Sequence, residues 1–290
     1  MGQERGPLGP EAARGADRLS ADPDVLAYYG RGHEAGRLLA GAGRLELART
    51  QEIVRRHLPP PPARVLDVGG GAGVHASWLA AGGHRVHLVD PVELHVAQAV
   101  EAARATGIDL TAAVGDARAL DVDDASADAV LLLGPLYHLV EREDRLAALR
   151  EARRAAGHGA PVFVAAISRY ASLFDGLVRG FFADPAFRAN LARTLREGRH
   201  TNPTRQPDWF TTAYFHHPDE LRDEVLAAGL DLVELVAVEG PAMVLGDLGE
   251  RWDGDPEWRA AVLDVCRALE AEPSLLGSGG HLMAVARRPA

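Results

Sequence analysis

"VLDVGGGAGVHASWLA", Val65 to Ala80, sets four glycines and one alanine between an apolar run and a helix-like pattern. Glycine accepts positive φ and carries no side chain that would hold a ligand away from backbone. The stretch therefore reads as strand, tight turn and helix, with a ligand at the turn.

Working outward, short apolar runs alternate with helical periods. "ARVLDV" is a buried strand, "VHASWLAAGG" a helix closed by glycine and "HRVHLVD" a strand. "VELHVAQAVEAARATG" is a helix, "IDLTAAVGD" a strand and "ADAVLLLG" the next strand, followed by a helix over Glu141 to Ala156 and the strand "APVFVAAIS". Such alternation implies crossovers of one hand and a mostly parallel sheet covered on both faces. Ligands on these sheets sit beyond the carboxyl ends of the strands. The predicted core spans 63–168.

Before the core, Val25 to His57 reads as one or two helices with an apolar stripe, ended by Pro59 to Pro62. Residues 22–62 are expected to form a helical cap bearing Tyr28, Tyr29, His33, Arg37, Glu46 and Arg49, with Tyr29 near the ligand. Residues 1–21 hold charges and prolines with no apolar stretch, and are expected to be a disordered tail. After the core, 169–212 breaks the alternation with two helices and an aromatic loop, placed as a lid after the fifth strand. Phe174, Phe181, Phe182, Trp209, Phe210, Tyr214 and Phe215 are expected to give an apolar acceptor pocket. Residues 213–290 return to the core with a helix, a strand, a helical insertion at about 255–271 and a closing strand.

The residues around the glycines choose among ligands. Gly69, Gly71 and Gly73 follow Asp67 in the pattern D-x-G-x-G-x-G. A dinucleotide fingerprint requires a small residue where Val74 stands, and no lysine exists to complete a triphosphate loop. A carboxylate before the turn favours a cationic group. The second strand ends in Asp90, 23 residues beyond Asp67, where a carboxylate accepts ribose hydroxyls. The third ends in "VGDA", where Asp116 can accept an adenine amine beside the Ala117 backbone. Amino acid, ribose and adenine in that order spell S-adenosylmethionine.

The chain resembles the class I S-adenosylmethionine-dependent methyltransferases of small-molecule type. "VLDVGGGAG", "VHLVD", "VGDA" and "DAVLLLGPLYHL" match four signature strand ends in order, over Arg64 to Ser168, and the last two strands are similar to the family's closing antiparallel pair. The resemblance implies an α/β fold, a doubly wound, mostly parallel seven-stranded Rossmann-like sheet. It implies that Asp67, Gly69, Gly71 and Gly73 surround the methionine moiety, Asp90 and Pro91 the ribose, and Asp116 and Ala117 the adenine, with Leu133 and Gly134 on the fourth strand end.

Methyl transfer would be served at "LLLGPLYHL". The Asn/Asp-Pro-Pro-aromatic sequence of enzymes acting on DNA base amines is absent, and the one cysteine, Cys266, lies in a distant helix as a core thiol. In-line displacement requires a positioned acceptor and, where its pKa demands, a base; histidine suits that at neutral pH. His138 is the first candidate, and His216 and His217 in "TTAYFHHP" follow. No third ligand at recognisable spacing supports a metal. His75, His84, His87 and His95 read as packing or surface.

A single cysteine excludes an internal disulfide, and the absence of lysine excludes Schiff-base chemistry. The net charge of −10 disfavours a nucleic-acid partner, and no apolar run is long enough to cross a bilayer. The expectation is a cytoplasmic monomer or homodimer without membrane contact. It moves the methyl of S-adenosylmethionine to an O or N atom of a small, partly apolar metabolite, a reaction at home in secondary metabolism. A peptide or protein methyltransferase, or a non-catalytic cofactor-binding homologue, are the alternatives.

Overall fold

The protein is described by a computed structural model covering residues 22–30, 34–202, 206, 208–245 and 248–290. The expected tail, 1–21, and His33 lie outside the described residues. Three N-terminal helices, α1 (Pro23–Tyr29), α2 (Glu34–Arg37) and α3 (Gly43–His57), replace the expected one or two. The reason is local: Gly30 ends the first helix and Gly41, at φ 52°, separates the second from the third.

The central strands follow from their composition. β1 (Arg64–Val68) is buried at every position but the first, and β5 (Pro161–Ser168) is buried throughout. A strand apolar on both faces is stable only inside a layered sheet, which is why these runs lack alternation. Between them the chain forms α4 (Val74–Ala81), β2 (Arg85–Asp90), α5 (Glu93–Thr106), β3 (Leu110–Val114), β4 (Ala129–Leu132) and α6 (Arg142–Ala155). β3, β2, β1, β4 and β5 lie side by side in parallel. The sheet order reverses between β1 and β4, and the glycine turn sits there.

Beyond β5 come α7 (Ala171–Arg179), α8 (Pro185–Glu197), β6 (Arg199–His200), β7 (Ala213–His216), α9 (Pro218–Ala227), β8 (Asp231–Ala237), α10 (Leu248–Gly254), α11 (Pro256–Leu269) and β9 (His281–Arg287). β9 runs antiparallel to β5, and β8 antiparallel to β9, so the anticipated closing pair is present. The seven anticipated strands are joined by two more. β7 pairs in parallel with Ile167 and Ser168, past the last β4 partner, and β6 pairs with β7. Four residues flanked by histidines and proline carry too little periodicity to be read as a strand.

Two apolar layers close the sheet. Leu146, Leu149 and Ala152 of α6 with Leu221 and Val225 of α9 cover one face. Ile53 and Val54 of α3, Leu79 of α4 and Ala99 and Ala103 of α5 cover the other. Cys266 packs with Leu45 and Trp252 where α11 meets α3, and burial pushes its thiol up to about 11, an inert core thiol as expected. Among the described residues, no helix is long and apolar enough to cross a membrane.

Candidate active site

A cavity of about 420 Å³ runs across the carboxyl ends of the strands. Its walls follow the sheet order. Asp116, Ala117 and Arg118 come after β3, Asp90 and Pro91 after β2, and Gly69 to Ala72 after β1. Leu133, Gly134, Pro135, Tyr137 and His138 follow β4, Ala165 stands on β5, and His281 and Met283 stand on β9. Tyr29, Leu38 and Glu46 close it from the N-terminal helices.

The glycine turn owes its shape to sterics. Gly69 has φ 68°, and a Cβ there would lie 2.6 Å from the Pro135 ring, so the turn and the β4 end pack as only glycine allows. Gly73 has φ 84° and caps α4, but it does not line the cavity. Its expected contact with a ligand is corrected to a role in the turn, because its left-handed backbone starts the helix and faces Ala99.

Asp67 is the most unusual group of the site. It is 1% exposed, and no hydrogen bond of ordinary geometry reaches either carboxylate oxygen. Burial and the nearby Asp90 carboxylate push it up to about 7, with the Ala76 backbone N–H giving partial relief. A buried acid without a partner calls for a cation. Asp90, by contrast, accepts from the N–H groups of Gly71 and Val92, both at 2.9 Å, and from His95 Nδ1 at 3.0 Å. The bond orients the His95 ring, and its Nε2 is buried without a hydrogen-bond partner on the cavity wall. Asp116 holds Arg118 through both oxygens, at 2.9 and 2.7 Å, and Arg118 also reaches Asp144.

His138 lies on the cavity wall, with both ring nitrogens engaged. Nε2 is 2.8 Å from the Tyr29 hydroxyl, and Nδ1 is 3.4 Å from the Thr212 carbonyl. Burial pushes it down to about 4, so at neutral pH Nδ1–H donates to Thr212 and Nε2 accepts from Tyr29. The ring stacks on Phe210 at 5.7 Å. It joins α1, the β4 end and the insertion.

His216 and His217 are away from the cavity. His216 is fully buried, 3.2 Å from Glu224, which also holds buried Arg145 at 2.7 Å. His217 caps α9 and packs edge-on to Tyr170. β7 directs them into the sheet edge and the helix start, so their candidacy as bases is corrected. The insertion's aromatics are corrected likewise: none of the seven lines the cavity, and Phe181, Phe182 and Trp209 pack around Phe187 instead.

Sequence reading missed three histidines. His75, His95 and His281 all line the cavity, although the sequence pattern reads the first two as packing or surface. His281 Nδ1 is 2.6 Å from Glu239, with Glu46 at 3.9 Å, and Arg37 grips Glu46 at 2.6 and 3.0 Å. Glu46, Glu239 and His281 converge from segments far apart in the chain, so no spacing rule could have found them. Arg49, expected on the cap, is fully buried between Glu52 and Glu270.

The cavity thus lies at the carboxyl ends of a parallel α/β sheet, with Asp116, Asp90 and Asp67 at three neighbouring strand ends and Asp67 lacking a hydrogen-bond partner. Residues 65–159 match the family described as a methyltransferase domain. The ubiquinone biosynthesis O-methyltransferase of Methylocella silvestris is 32% identical over 96 residues, which are 32% of this chain and 38% of that protein. The match thus spans well under half of the curated relative. Among solved structures, the putative methyltransferase bound to the Haloferax volcanii Trm112 methyltransferase activator has a TM-score of 0.58 at 18% identity, covering 93% of this chain and 100% of that one. A Methanosarcina mazei S-adenosylmethionine-dependent methyltransferase gives 0.56 at 16%, covering 82% and 97%. Haemonchus contortus phosphoethanolamine N-methyltransferase 2, in complex with S-adenosyl-L-methionine, gives 0.55 at 18%, covering 84% and 52%. At these identities the structures speak to the fold. The methyltransferase-domain match lies within the α/β core, and the unpartnered Asp67 and the side-chain-free glycine turn fit S-adenosylmethionine.

Proposed function

We propose that this protein methylates an O or N atom of a small, partly apolar metabolite in the cytoplasm, using S-adenosylmethionine. The observation that carries the reading is Asp67, a buried carboxylate beneath the glycine turn for which the cofactor's cationic amino-acid end is the natural partner. When bound, the cofactor supplies an electrophilic methyl on a sulfonium.

The chain's own residues hold and enclose it. Asp67 and the turn from Gly69 to Gly71 take the methionine end, with Leu133 and Gly134 beside it. Asp90 and Pro91 take the ribose. Three of the roughly four acceptor positions of the Asp90 carboxylate are filled, so His95 Nε2 serves the second ribose hydroxyl. Asp116 and Ala117 take the adenine. Tyr29 and His138 tie the cap of residues 22–62 to the lid of residues 169–212, which excludes water and holds the acceptor in line. His138 acts as a tie, since both its nitrogens are spent.

The oxygen acceptor is the better supported, because the curated relative is an O-methyltransferase. A cavity closed by α1 and α3 suits a small molecule and disfavours a peptide groove. Calorimetry tests the reading: S-adenosylhomocysteine should bind saturably to the purified chain, and no binding would end it. Transfer of tritiated methyl to small phenols and amines then separates an enzyme from a non-catalytic homologue.

A further inference from the structure

The sheet order turns the cavity into a map. If adenine lies at β3, ribose at β2 and methionine at β1, the space beyond the methyl lies over β4, β5 and β9. Its floor is Ala165, Val238 and Met283, with Leu38 above, all apolar. One polar device faces this floor. Glu239 binds His281 twice, accepting the backbone N–H at 2.9 Å and meeting Nδ1 at 2.6 Å. Nδ1 is therefore spent, and Nε2 is the nitrogen left for a ligand in the cavity that His281 lines.

We propose, resting on the methyl-transfer reading above, that His281, fixed by Glu239 with Glu46 behind it, binds and ionises the acceptor. The acceptor group is the hydroxyl of a phenol or an enol carried on an apolar frame.

The charges around His281 choose this class. Glu239 comes from the turn after β8, Glu46 and Arg37 from the N-terminal helices, and His75 from the start of α4, on the other side of Glu46. Both carboxylates already hold a cation, Glu46 through Arg37 and Glu239 through His281, so neither is offered to an ammonium acceptor. They also push His281 up to about 9, despite its burial, which matches it to a hydroxyl that ionises in the range of about 10, as tyrosine does, and not to an aliphatic alcohol. The same pairing disfavours a metal held by Glu46, Glu239 and His281, whose negative charge is already balanced.

In the step, the acceptor O–H bond breaks first. Its proton goes to His281 Nε2 when the imidazole is neutral, and to water when it is already imidazolium. Either way phenolate faces imidazolium, with Nε2–H donating to oxygen. The oxygen's electron pair forms the bond to the methyl carbon, the C–S bond breaks, and its pair stays on sulfur to leave S-adenosylhomocysteine. Glu239 is a positioning residue that favours the imidazolium.

The test needs no natural substrate. Full-length protein saturated with S-adenosylhomocysteine is titrated with 4-nitrophenol at a pH where the free probe is mostly unionised, and the phenolate absorbance is read. The wild type should bind the probe as phenolate. His281→Gln should weaken binding roughly tenfold or more and lose the phenolate band. Glu239→Gln should shift the ionisation midpoint of the bound probe upward. Calorimetry with S-adenosylhomocysteine accompanies each protein. Should His281→Gln fail to bind it, the midpoint in Glu239→Gln decides, and an unmoved midpoint sinks the proposal. Failure of the wild type to bind S-adenosylhomocysteine refutes the methyltransferase reading itself. Normal cofactor binding with no probe binding, or equal binding by His281→Gln, overturns only the proposal. So does a phenolate band removed by EDTA and restored by magnesium chloride, which would reassign the cluster to a metal.

Discussion

Asp67 carries its strain in the ligand-free state. An acid whose folded pKa is raised from its ordinary value to about 7 disfavours folding increasingly as pH climbs from about 4 to 7, because the unfolded chain gives up its proton first. Asp67→Asn removes that penalty while keeping the shape. The free protein should gain a few degrees in thermal midpoint at pH 7.5, on the order of 1 kcal/mol, and the gain should fade by pH 4. Binding of S-adenosylhomocysteine should weaken at the same time. A substitution that stabilises the fold and harms the ligand site marks a residue kept for function. Calorimetry at both pH values reads both effects, and a destabilised Asp67→Asn would contradict the account.

Single residues also hold elements together. His138 bridges Tyr29 on α1 and the Thr212 carbonyl before β7. Tyr29→Phe deletes the hydrogen bond to His138 and keeps the ring that packs against it. Bound S-adenosylhomocysteine should then leave roughly threefold to tenfold faster, the scale of one such bond, with little change in thermal midpoint. Stopped-flow displacement measures it, and an unchanged release rate would mean that cap and lid move independently of the ligand. The join between α6, α9 and β7 is a buried triad. Arg145 and Glu224 are each about 97% buried, and His216 meets the same carboxylate. Glu224→Ala strands the arginine and should destabilise the fold by about 3 kcal/mol or more in urea unfolding. This substitution should leave cofactor binding at low temperature unaffected, since none of the three residues lines the cavity.

At the scale of the whole molecule, pH dependence follows from histidines buried in opposite states. His75, His138 and His200 are each pushed down to about 4 by burial. The unfolded chain takes up their protons near pH 6.5 while the folded one does not, so stability is full above 6.5 and lost as pH falls toward 4. His281 is the reverse: its folded pKa of about 9 gives stability that is full below 6.5 and lost as pH rises through 9. Asp67 opposes the acid loss, but three histidines outweigh one acid. Thermal midpoints should therefore peak near neutrality and fall on both sides, with His281→Gln flattening the alkaline side alone. A midpoint that rises from pH 7 to 5 would contradict the burial of the three.

What could be read from the chain alone follows the same physical line. The core sheet, its closing pair, the glycine turn and the acids at 67, 90 and 116 were legible because each depends on neighbours close in sequence. Period, strand length and the residue that ends a strand are local quantities. The helices of the insertion were readable for that reason, whereas β7 was too short to carry a period. What lines the cavity was decided by packing. The fifteen-residue α3 brings Glu46, the turn after β8 brings Glu239 and the first residue of β9 brings His281 to one point. His138 is spent on Tyr29 and Thr212, and Phe181, Phe182 and Trp209 of the insertion pack around Phe187. A side chain's availability depends on every atom that reaches it, and those atoms arrive from distant segments only when the chain folds. The sequence by itself thus determined the scaffold and the class of cofactor, through local pattern. Only the tertiary structure decided which histidines line the cavity and which are spent on distant partners, because those partners arrive from remote segments.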